Sequence, residues 1–362
     1  MRIVLIFILF ILSAISSLTG DIINYKLPNG LTVILKEKHN VPLVTAQIWV
    51  KAGSITEEEF AGCGISHYIE HMLFTTTKKH SGEYIAKKMK SLGCDMNGYT
   101  SFEETVFHFT FGSENLKKIL PVMKEMIFEP AFKEKELVKE KNVILKEINM
   151  NLDDPNRYFS NLLFDSAYER SYFKYPVIGY KSLFKKLSRK DLIKYYNRMY
   201  VPDNMALIIV GDFDSNKIKP VVSSVFGNIA RKPVHYVSLI KEPLQCGMKK
   251  IVKYRKDIKF PRIALIWKTV DIRSKDLFPL DVLSLIIGKG RSSVLNLELK
   301  EKKGTVRSIS SYSYTPVLKG IFSVEAVAYD YNKVQEITDD IISLINKLKK
   351  IYLMIYLIVQ KK

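Results

Sequence analysis

The sequence predicts an α+β protein of two related domains, each with an antiparallel-rich sheet covered by helices. Segments of β-rich composition are grouped apart from helical ones, which favours layered α+β packing over alternating βαβ units. The length of 362 residues suits about two domains at roughly 100–200 residues each. The order of elements in the second half resembles that in the first, although no histidine pair recurs, so we interpret the halves as diverged copies.

The first domain is predicted to begin with a β-hairpin. Ile23 to Lys38 contains two β-rich runs joined at Asn29-Gly30, a strong turn signal. Gly93 follows an amphipathic segment and marks a helix end. Further elements follow from periodicity and from aromatic or β-branched content. In chain order they are strand 44–51, helices 64–75 and 81–92, a strand–turn–strand unit over 96–112, helices 114–128, 134–152, 157–168 and 187–200, and strand 205–213.

A loose stretch at residues 231–247 is predicted to link the two domains. It contains Pro233 and Pro243 and has few periodic features. The predicted domains are therefore 21–230 and 248–362. The elements predicted in the second are strand 258–267, helices 276–287 and 292–302, strands 305–313 and 320–328, and helix 332–349.

Residues 1–20 are predicted to be a secretory signal peptide. Arg2 provides a basic start, Ile3 to Ile11 is an unbroken apolar run, and small or polar residues follow. The run is short for a transmembrane helix, which needs about 20 apolar residues; an uncleaved membrane anchor is the alternative. We expect an exported protein, periplasmic or secreted, with no stable membrane span after signal cleavage.

The net charge of +19 is high, but its distribution argues against nucleic-acid binding. The lysines are scattered along amphipathic segments and are not gathered into patches interleaved with aromatic residues, so they indicate a solvated surface. The three cysteines are few, odd in number and widely spaced, so they predict no disulfide framework.

The motif that carries chemistry is His67-Tyr68-Ile69-Glu70-His71. On a helix, positions four apart share a face, so His67 and His71 can bind one metal ion. Glu70 lies beside that face, and HxxEH is the inverzincin signature. With six histidines in the chain, such a pair with Glu at that position arises by chance fewer than about 0.01 times. Two unrelated histidines on an amphipathic helix are the alternative.

A third ligand is expected from another element, because a catalytic zinc site takes three protein ligands and leaves one position open. Leu137, Glu140, Ile144 and Glu147 fall on one stripe of the helix predicted over 134–152. Leucine and isoleucine mark that stripe as core-facing, and buried carboxylates are costly unless they are paired or bind metal. A solvated, charged face is the alternative interpretation.

At these positions the chain resembles the pitrilysin family of zinc peptidases, which includes insulinase and the mitochondrial processing peptidase. In that family the glutamate ligand follows HxxEH by about 75 residues, and a supporting glutamate precedes that ligand by about seven. Glu147 lies 76 positions after His71, and Glu140 lies seven before Glu147. The resemblance, over about residues 24–348, implies one Zn²⁺ per chain held by His67, His71 and Glu147.

The resemblance also implies a processing-peptidase-like metallohydrolase fold and a peptide or unfolded-protein substrate. The substrate is expected to add a strand at the sheet edge near Met96 to Thr100, where Asn97 helps to hold it. Zinc activates water and polarises the scissile carbonyl. Glu70 is expected to act as the general base and later to pass the proton to the leaving amine.

Two features depart from the family pattern. The family usually has an arginine and, about seven residues later, a tyrosine that meet the substrate; Lys300 and Arg307 occupy those positions here. Lysine keeps the charge but lacks the bidentate fork. Arg307 can stabilise an oxyanion or be a surface residue, and Tyr312 and Tyr314 are candidate substitutes. The family's second domain also normally continues further, so the domain at 248–362 is expected to be incomplete.

Two functions are therefore predicted as alternatives. The first is an exported, active zinc metalloendopeptidase. The second is a degenerate homologue that binds peptides or pairs with an active partner, as a homodimer or as a heterodimer with another family subunit. Glu70 and both downstream glutamates favour the first, because a binding module has no need for a general base. Lys300, Arg307 and the short carboxyl end favour the second.

Overall fold

The computed structural model describes residues 22–360, with side chains described up to residue 349. The predicted signal peptide at residues 1–20 lies outside the described residues. The chain divides into two compact units. The first consists of the described residues up to Met150 together with Tyr175–Leu239, and the second consists of Asn151–Lys174 and Ile240 onwards. Residues 151–174 thus group with the second unit, whereas the sequence analysis assigns them to the first domain.

Groups of strands are separated by groups of helices along the chain, as the α+β prediction expects. The strands are β1 (Ile23–Lys26), β2 (Thr32–Glu37), β3 (Leu43–Val50), β4 (Asp95–Thr100), β5 (Thr105–Gly112), β6 (Met205–Gly211), β7 (Arg262–Lys268), β8 (Val306–Tyr314) and β9 (Ile321–Ala328). The α-helices are α1 (Ile65–Leu73), α2 (Gly82–Ser91), α3 (Leu116–Phe128), α4 (Glu134–Asp153), α5 (Pro155–Ala167), α6 (Lys181–Phe184), α7 (Arg189–Met199), α8 (Ser215–Phe226), α9 (Leu277–Gly288) and α10 (Val334–Gln360).

The first unit contains a six-stranded sheet in the order β1-β2-β6-β3-β5-β4. The predicted hairpin is present, because β1 and β2 pair antiparallel on either side of the Asn29-Gly30 turn. Strand β6 lies parallel to β2 and antiparallel to β3, and the remaining neighbours are antiparallel. The order leaves β4 at one edge of the sheet, as the sequence analysis predicted for the segment around Met96 to Thr100.

Alternating side chains of the sheet form one hydrophobic core with the helices of the first unit. In β3, for example, Val44, Ala46, Ile48 and Val50 are buried while the residues between them are partly exposed. Helices α1, α2, α3, α4, α7 and α8 contribute buried apolar side chains to this core. Helix α1 is held between the sheet and other helices, since Tyr68, Ile69, Met72 and Leu73 are all buried.

The second unit contains a three-stranded antiparallel sheet in the order β7-β9-β8. Its hydrophobic core includes Val324 and Ala326 from β9 and Ile337 and Ile341 from α10. The register of β8 against β9 shifts between Val306 and Ser308, which makes Arg307 the extra residue of a β-bulge.

Three elements differ from the sequence expectation. Helix α8 was not predicted, although Asp214 caps it by accepting the N–H groups of Asn216 and Lys217. Strand β7 begins at Arg262, after Pro261, and not at residue 258. The segment predicted as a helix over 292–302 contains a π-helix at Asn296–Lys302. No helix among the described residues combines the length and apolar character needed to cross a membrane.

Candidate metal centre

The helix that carries the histidine motif begins at a position where only glycine fits. Gly64, which precedes α1, has φ of 71°. A Cβ atom there would lie 2.2 Å from the carbonyl oxygen of Ile178. Both the left-handed backbone and the close contact exclude other residues. This turn fixes the direction in which α1 leaves the loop, and therefore the direction of its histidines.

A buried carboxyl group caps the same end of α1. Glu57 is fully buried and accepts the backbone N–H groups of Ser66 at 3.0 Å and Gly64 at 3.3 Å. These N–H groups belong to the first helical turn and have no partner within the helix. The Ser66 hydroxyl contacts the hydroxyl of buried Tyr195 at 2.9 Å. Burial raises the pKa of Glu57 to about 8, against the opposing effect of its hydrogen bonds to Ser66 and Gly64.

Two helices bring three candidate ligands together. His67 and His71 stand one turn apart on α1, with ring centroids 4.7 Å apart. Helix α4 presents Glu147, whose Oε2 lies 3.7 Å from His67 Nε2 and 3.8 Å from His71 Nε2. The ligand atoms of the three residues all lie within 4.8 Å of one another.

The two ligand helices are tied together directly. The hydroxyl of buried Tyr68 on α1 donates to the carbonyl oxygen of Leu137 on α4 at 2.6 Å. Leu137 and Ile144 are buried in the core of the unit, so α4 turns its stripe of Leu137, Glu140, Ile144 and Glu147 towards α1. The structure therefore places both glutamates of that stripe against the histidine motif.

The ligand set fits a zinc ion. The separations of 3.7 and 3.8 Å are too long for hydrogen bonds. They are close to the roughly 3.3 Å between neighbouring ligands of a tetrahedral ion whose bonds are about 2.0–2.1 Å long. Burial, with a smaller effect of His71, lowers the pKa of His67 to about 3, which keeps its imidazole neutral and able to bind metal. Two imidazoles and one carboxylate form a ligand set that zinc commonly takes.

The two histidines are oriented differently. Glu140 Oε2 lies 3.3 Å from His71 Nδ1, so this carboxylate can fix the tautomer in which Nε2 faces the other ligands. For His67 Nδ1, no hydrogen-bond partner exists among the described residues. His67 is held by burial, with its side chain 13% exposed.

Glu70 lies beside the ligands without joining them. It is buried, and its Oε2 accepts the hydroxyl of Thr100 at 2.6 Å. Burial raises the pKa of Glu70, and the charge of Glu147 adds to that rise, while the Thr100 hydrogen bond and the nearby His71 oppose it. A buried carboxyl group next to three candidate metal ligands is placed to accept and donate a proton beside the metal position.

Asn97 lies on the edge strand but does not join the ligand cluster. It is exposed on β4, and its side-chain oxygen accepts the N–H of Gly98 at 2.9 Å. Because successive strand residues face opposite sides, Asn97 and Thr100 point to opposite faces of the sheet. Its predicted role in holding substrate remains a prediction.

Lys300 and Arg307 lie in the second unit. Lys300 is an exposed residue of the π-helix, and π-helical turns often occur at functional sites. The guanidinium of Arg307 lies 4.0 Å from the ring centroid of Phe260, a cation–π contact. Tyr312 is exposed, whereas Tyr314 packs edge-to-face against Phe173 at 5.8 Å. The predicted substrate contacts of these residues remain predictions.

Sequence reasoning missed two polar residues of this region, Glu57 and Thr100. Glu57 lies among Glu58 and Glu59 in a charged run that suggests solvent exposure. Thr100 ends a β-rich segment whose composition accounts for it without any special role. Neither residue lies at a helical or strand spacing from its partner, because tertiary folding brings the two together.

Comparisons with known proteins found relatives of both halves of the chain. The family model described as insulinase (peptidase family M16) matches residues 32–180, and the model described as peptidase M16 inactive domain matches residues 186–353. A relative from Bacillus subtilis, called an uncharacterized zinc protease, is 27% identical over 326 residues, covering 90% of this chain and 78% of its own. The beta subunit of the mitochondrial processing peptidase from Saccharomyces cerevisiae is 28% identical over 225 residues, covering 61% of this chain and 48% of its own.

A solved structure shows the same fold. The crystal structure of a protease from Helicobacter pylori matches with a TM-score of 0.86 at 27% identity, covering 92% of this chain and 80% of that one. The fold is that of the M16 class of peptidases. This chain belongs to that family, the insulinase or pitrilysin family, as its sequence motifs predicted.

Proposed function

We propose that this chain is a zinc-dependent metalloendopeptidase that hydrolyses peptides or unfolded protein segments. The observation that carries the proposal is the convergence of His67 Nε2, His71 Nε2 and Glu147 Oε2 beside the buried carboxyl group of Glu70. Three ligands leave a position open on a tetrahedral ion, which distinguishes catalytic from structural zinc sites. Zinc proteases among the relatives support the same activity.

Each residue of the site has a separate task in this proposal. His67, His71 and Glu147 would hold one Zn²⁺ per chain, and Glu140 would keep His71 in the binding tautomer. When bound, the ion supplies Lewis acidity, which activates water and polarises the scissile carbonyl. The Glu70 carboxylate takes the proton of the attacking water and then donates it to the leaving amine.

The edge strand β4 offers a docking position for the substrate backbone. It ends at Thr100, which contacts Glu70, so an added strand along this edge would pass close to the general base. Binding by strand addition relies on main-chain hydrogen bonds and therefore reads sequence only modestly. A peptide or an unfolded segment can adopt the extended conformation that this requires.

The test combines metal content with hydrolysis of a quenched fluorescent peptide pool, for the wild type and Glu70→Gln. We expect the wild type to hold about one zinc per chain and to cleave, because the ligand set is complete. Glu70→Gln should retain zinc and lose about 10²–10⁴-fold in activity, because only the proton acceptor is removed. A wild type that binds no zinc would contradict the site assignment.

A second candidate function is supported by the second unit and by one relative. Lys300 and Arg307 replace the arginine and tyrosine of the family pattern, and Arg307 lies over Phe260. The yeast relative is named as a subunit. On this alternative the chain binds peptides, or pairs with a second copy or with another family subunit that completes the site. A zinc-loaded wild type that cleaves nothing alone, and cleaves when such a subunit is added, would favour it.

Export to the periplasm or the exterior is proposed from residues 1–20 alone. Their pattern of charge, apolar run and small residues supports the proposal. N-terminal sequencing of protein purified from cell fractions would test it. An intact Met1 on protein found in the cytoplasm would contradict it.

A further inference from the structure

Thr100 connects the general base to the edge strand. It is the last residue of β4 and pairs with Thr105 on β5. Its hydroxyl donates to Glu70 Oε2 at 2.6 Å, within the 2.5–2.7 Å range of hydrogen bonds to an ionised oxygen. Among the residues that the structure describes, this is the only hydrogen bond made by the Glu70 side chain.

The bond selects one orientation of the carboxylate. A glutamate side chain has three rotatable torsions, and burial alone leaves the last of them broad. Because Oε2 is engaged by Thr100, Oε1 is the oxygen left free to accept a proton. The hydroxyl oxygen of Thr100 also lies 3.4 Å from that of Thr105, so the donor is itself set within the sheet.

We propose that Thr100 is a positioning residue, whose hydroxyl holds the Glu70 carboxylate in the orientation needed for general-base catalysis. This inference rests on the peptidase activity proposed above. The end of β4 would then have two roles. It would bind the substrate backbone, and through Thr100 it would orient the Glu70 carboxylate. Catalytic groups misplaced by small distances lose much of their effect, which is why such a contact matters.

The test uses an isosteric pair of variants. Thr100→Val removes the hydroxyl and keeps the shape, while Thr100→Ser keeps the hydroxyl. We expect kcat of Thr100→Val to fall about 10- to 100-fold, the equivalent of one hydrogen bond to a charged group. KM should stay within about twofold and zinc content should not change, because the substitution leaves the β4 backbone and the metal ligands unaltered. Thr100→Ser should recover most of the activity.

Thr110→Val is the matched control. Its hydroxyl, on the neighbouring strand β5, contacts that of Thr45 at 3.0 Å and lies within the same sheet. The same chemical change there should leave kcat at the wild-type value. A Thr100→Val enzyme with wild-type kcat would overturn the proposal. So would a loss confined to KM, since Thr100 would then act in substrate binding.

Crystal structures of the wild type and Thr100→Val give a readout independent of activity. The Glu70 side chain should hold one rotamer in the wild type and leave it, or adopt several, in the variant. If the wild type cleaves nothing, the proposed function fails while this comparison still decides the role of Thr100. An unchanged Glu70 rotamer in Thr100→Val would then overturn the positioning role.

Discussion

Among the histidine–glutamate clusters that the structure describes in the first unit, two differ in what their polar atoms do. The metal cluster consists of His67, His71, Glu140 and Glu147. The closed cluster consists of Thr77, His80 and Glu125. In the closed cluster, His80 Nδ1 lies 2.9 and 3.1 Å from the two oxygens of Glu125, the Thr77 hydroxyl donates to the same carboxylate, and the His80 ring stacks on Tyr84.

The difference shows that residue type and burial alone do not make a metal site. The side chain of Glu125 is better buried than that of the candidate ligand Glu147, yet its oxygens are used by hydrogen bonds within the cluster. In the metal cluster, two imidazole nitrogens and one carboxylate oxygen converge at distances beyond hydrogen-bond length. Lone pairs that converge on one point with no proton between them repel one another, and a bound cation removes that repulsion.

The largest effect is expected from removing the ligand on α4. Glu147→Gln replaces a charged oxygen ligand by a neutral amide. We expect zinc affinity to fall by more than about 100-fold, which exceeds the loss seen for residues that contact a ligand but not the ion. The measurement is competition against a chelator of known zinc affinity. Glu125→Gln is the matched control, because it makes the same change in the closed cluster.

The Glu125→Gln control tests whether the metal cluster and the closed cluster differ in function. Glu125→Gln should bind zinc as the wild type does, although it loses stability by weakening contacts to His80 and Thr77. Equal losses of zinc affinity in both variants would mean that the two clusters are not distinct in function. Unchanged zinc affinity in Glu147→Gln would place the third ligand elsewhere.

A smaller effect is expected from Glu140, which contacts a ligand and not the ion. Glu140→Gln keeps the shape but replaces the carboxylate that faces His71 Nδ1 at 3.3 Å. Loss of such an outer-shell partner typically costs about 10- to 100-fold in metal affinity. Zinc affinity should therefore lie between those of the wild type and Glu147→Gln. A loss as large as that of Glu147→Gln would show that Glu140 itself binds the metal.

The residues of the metal cluster could be predicted from the sequence because they form two pairs, each within one helix. His67 and His71 stand one turn apart on a single helix, and Glu140 and Glu147 share one stripe of another. Helical periodicity therefore fixes two pairs of residues. The distance between the pairs depends on tertiary packing, such as the Tyr68 hydroxyl on the carbonyl of Leu137, and only the family resemblance indicated that they meet.

Glu57 and Thr100 could not be predicted for the same physical reason. Glu57 reaches Ser66 across a loop that is set by the left-handed Gly64, and Thr100 reaches Glu70 from another strand. A buried carboxyl group inside a run of acidic residues has the sequence pattern of a solvated one. The closed cluster of Thr77, His80 and Glu125 is hidden in the same way, because its members come from a loop and from α3.

Glu57 extends the comparison between the two clusters to a third buried carboxyl group, which contacts backbone N–H groups and not a histidine. Burial raises its pKa from 4.5 to about 8. Between these values the folded state binds this proton more tightly than the unfolded state does. The free energy of unfolding should therefore fall as pH rises through this window, by up to about 1.4 kcal/mol per pH unit.

Glu57→Gln should flatten that slope, because the amide does not titrate. Urea unfolding of the wild type and the variant from about pH 7 to pH 8 measures this slope. In that range the His67 imidazole is mostly neutral in both states, because its pKa is 6.5 when unperturbed and is lowered in the folded protein. If Glu57→Gln keeps the wild-type slope, the slope comes from another group, and Glu57 caps α1 as a carboxylate with an ordinary pKa.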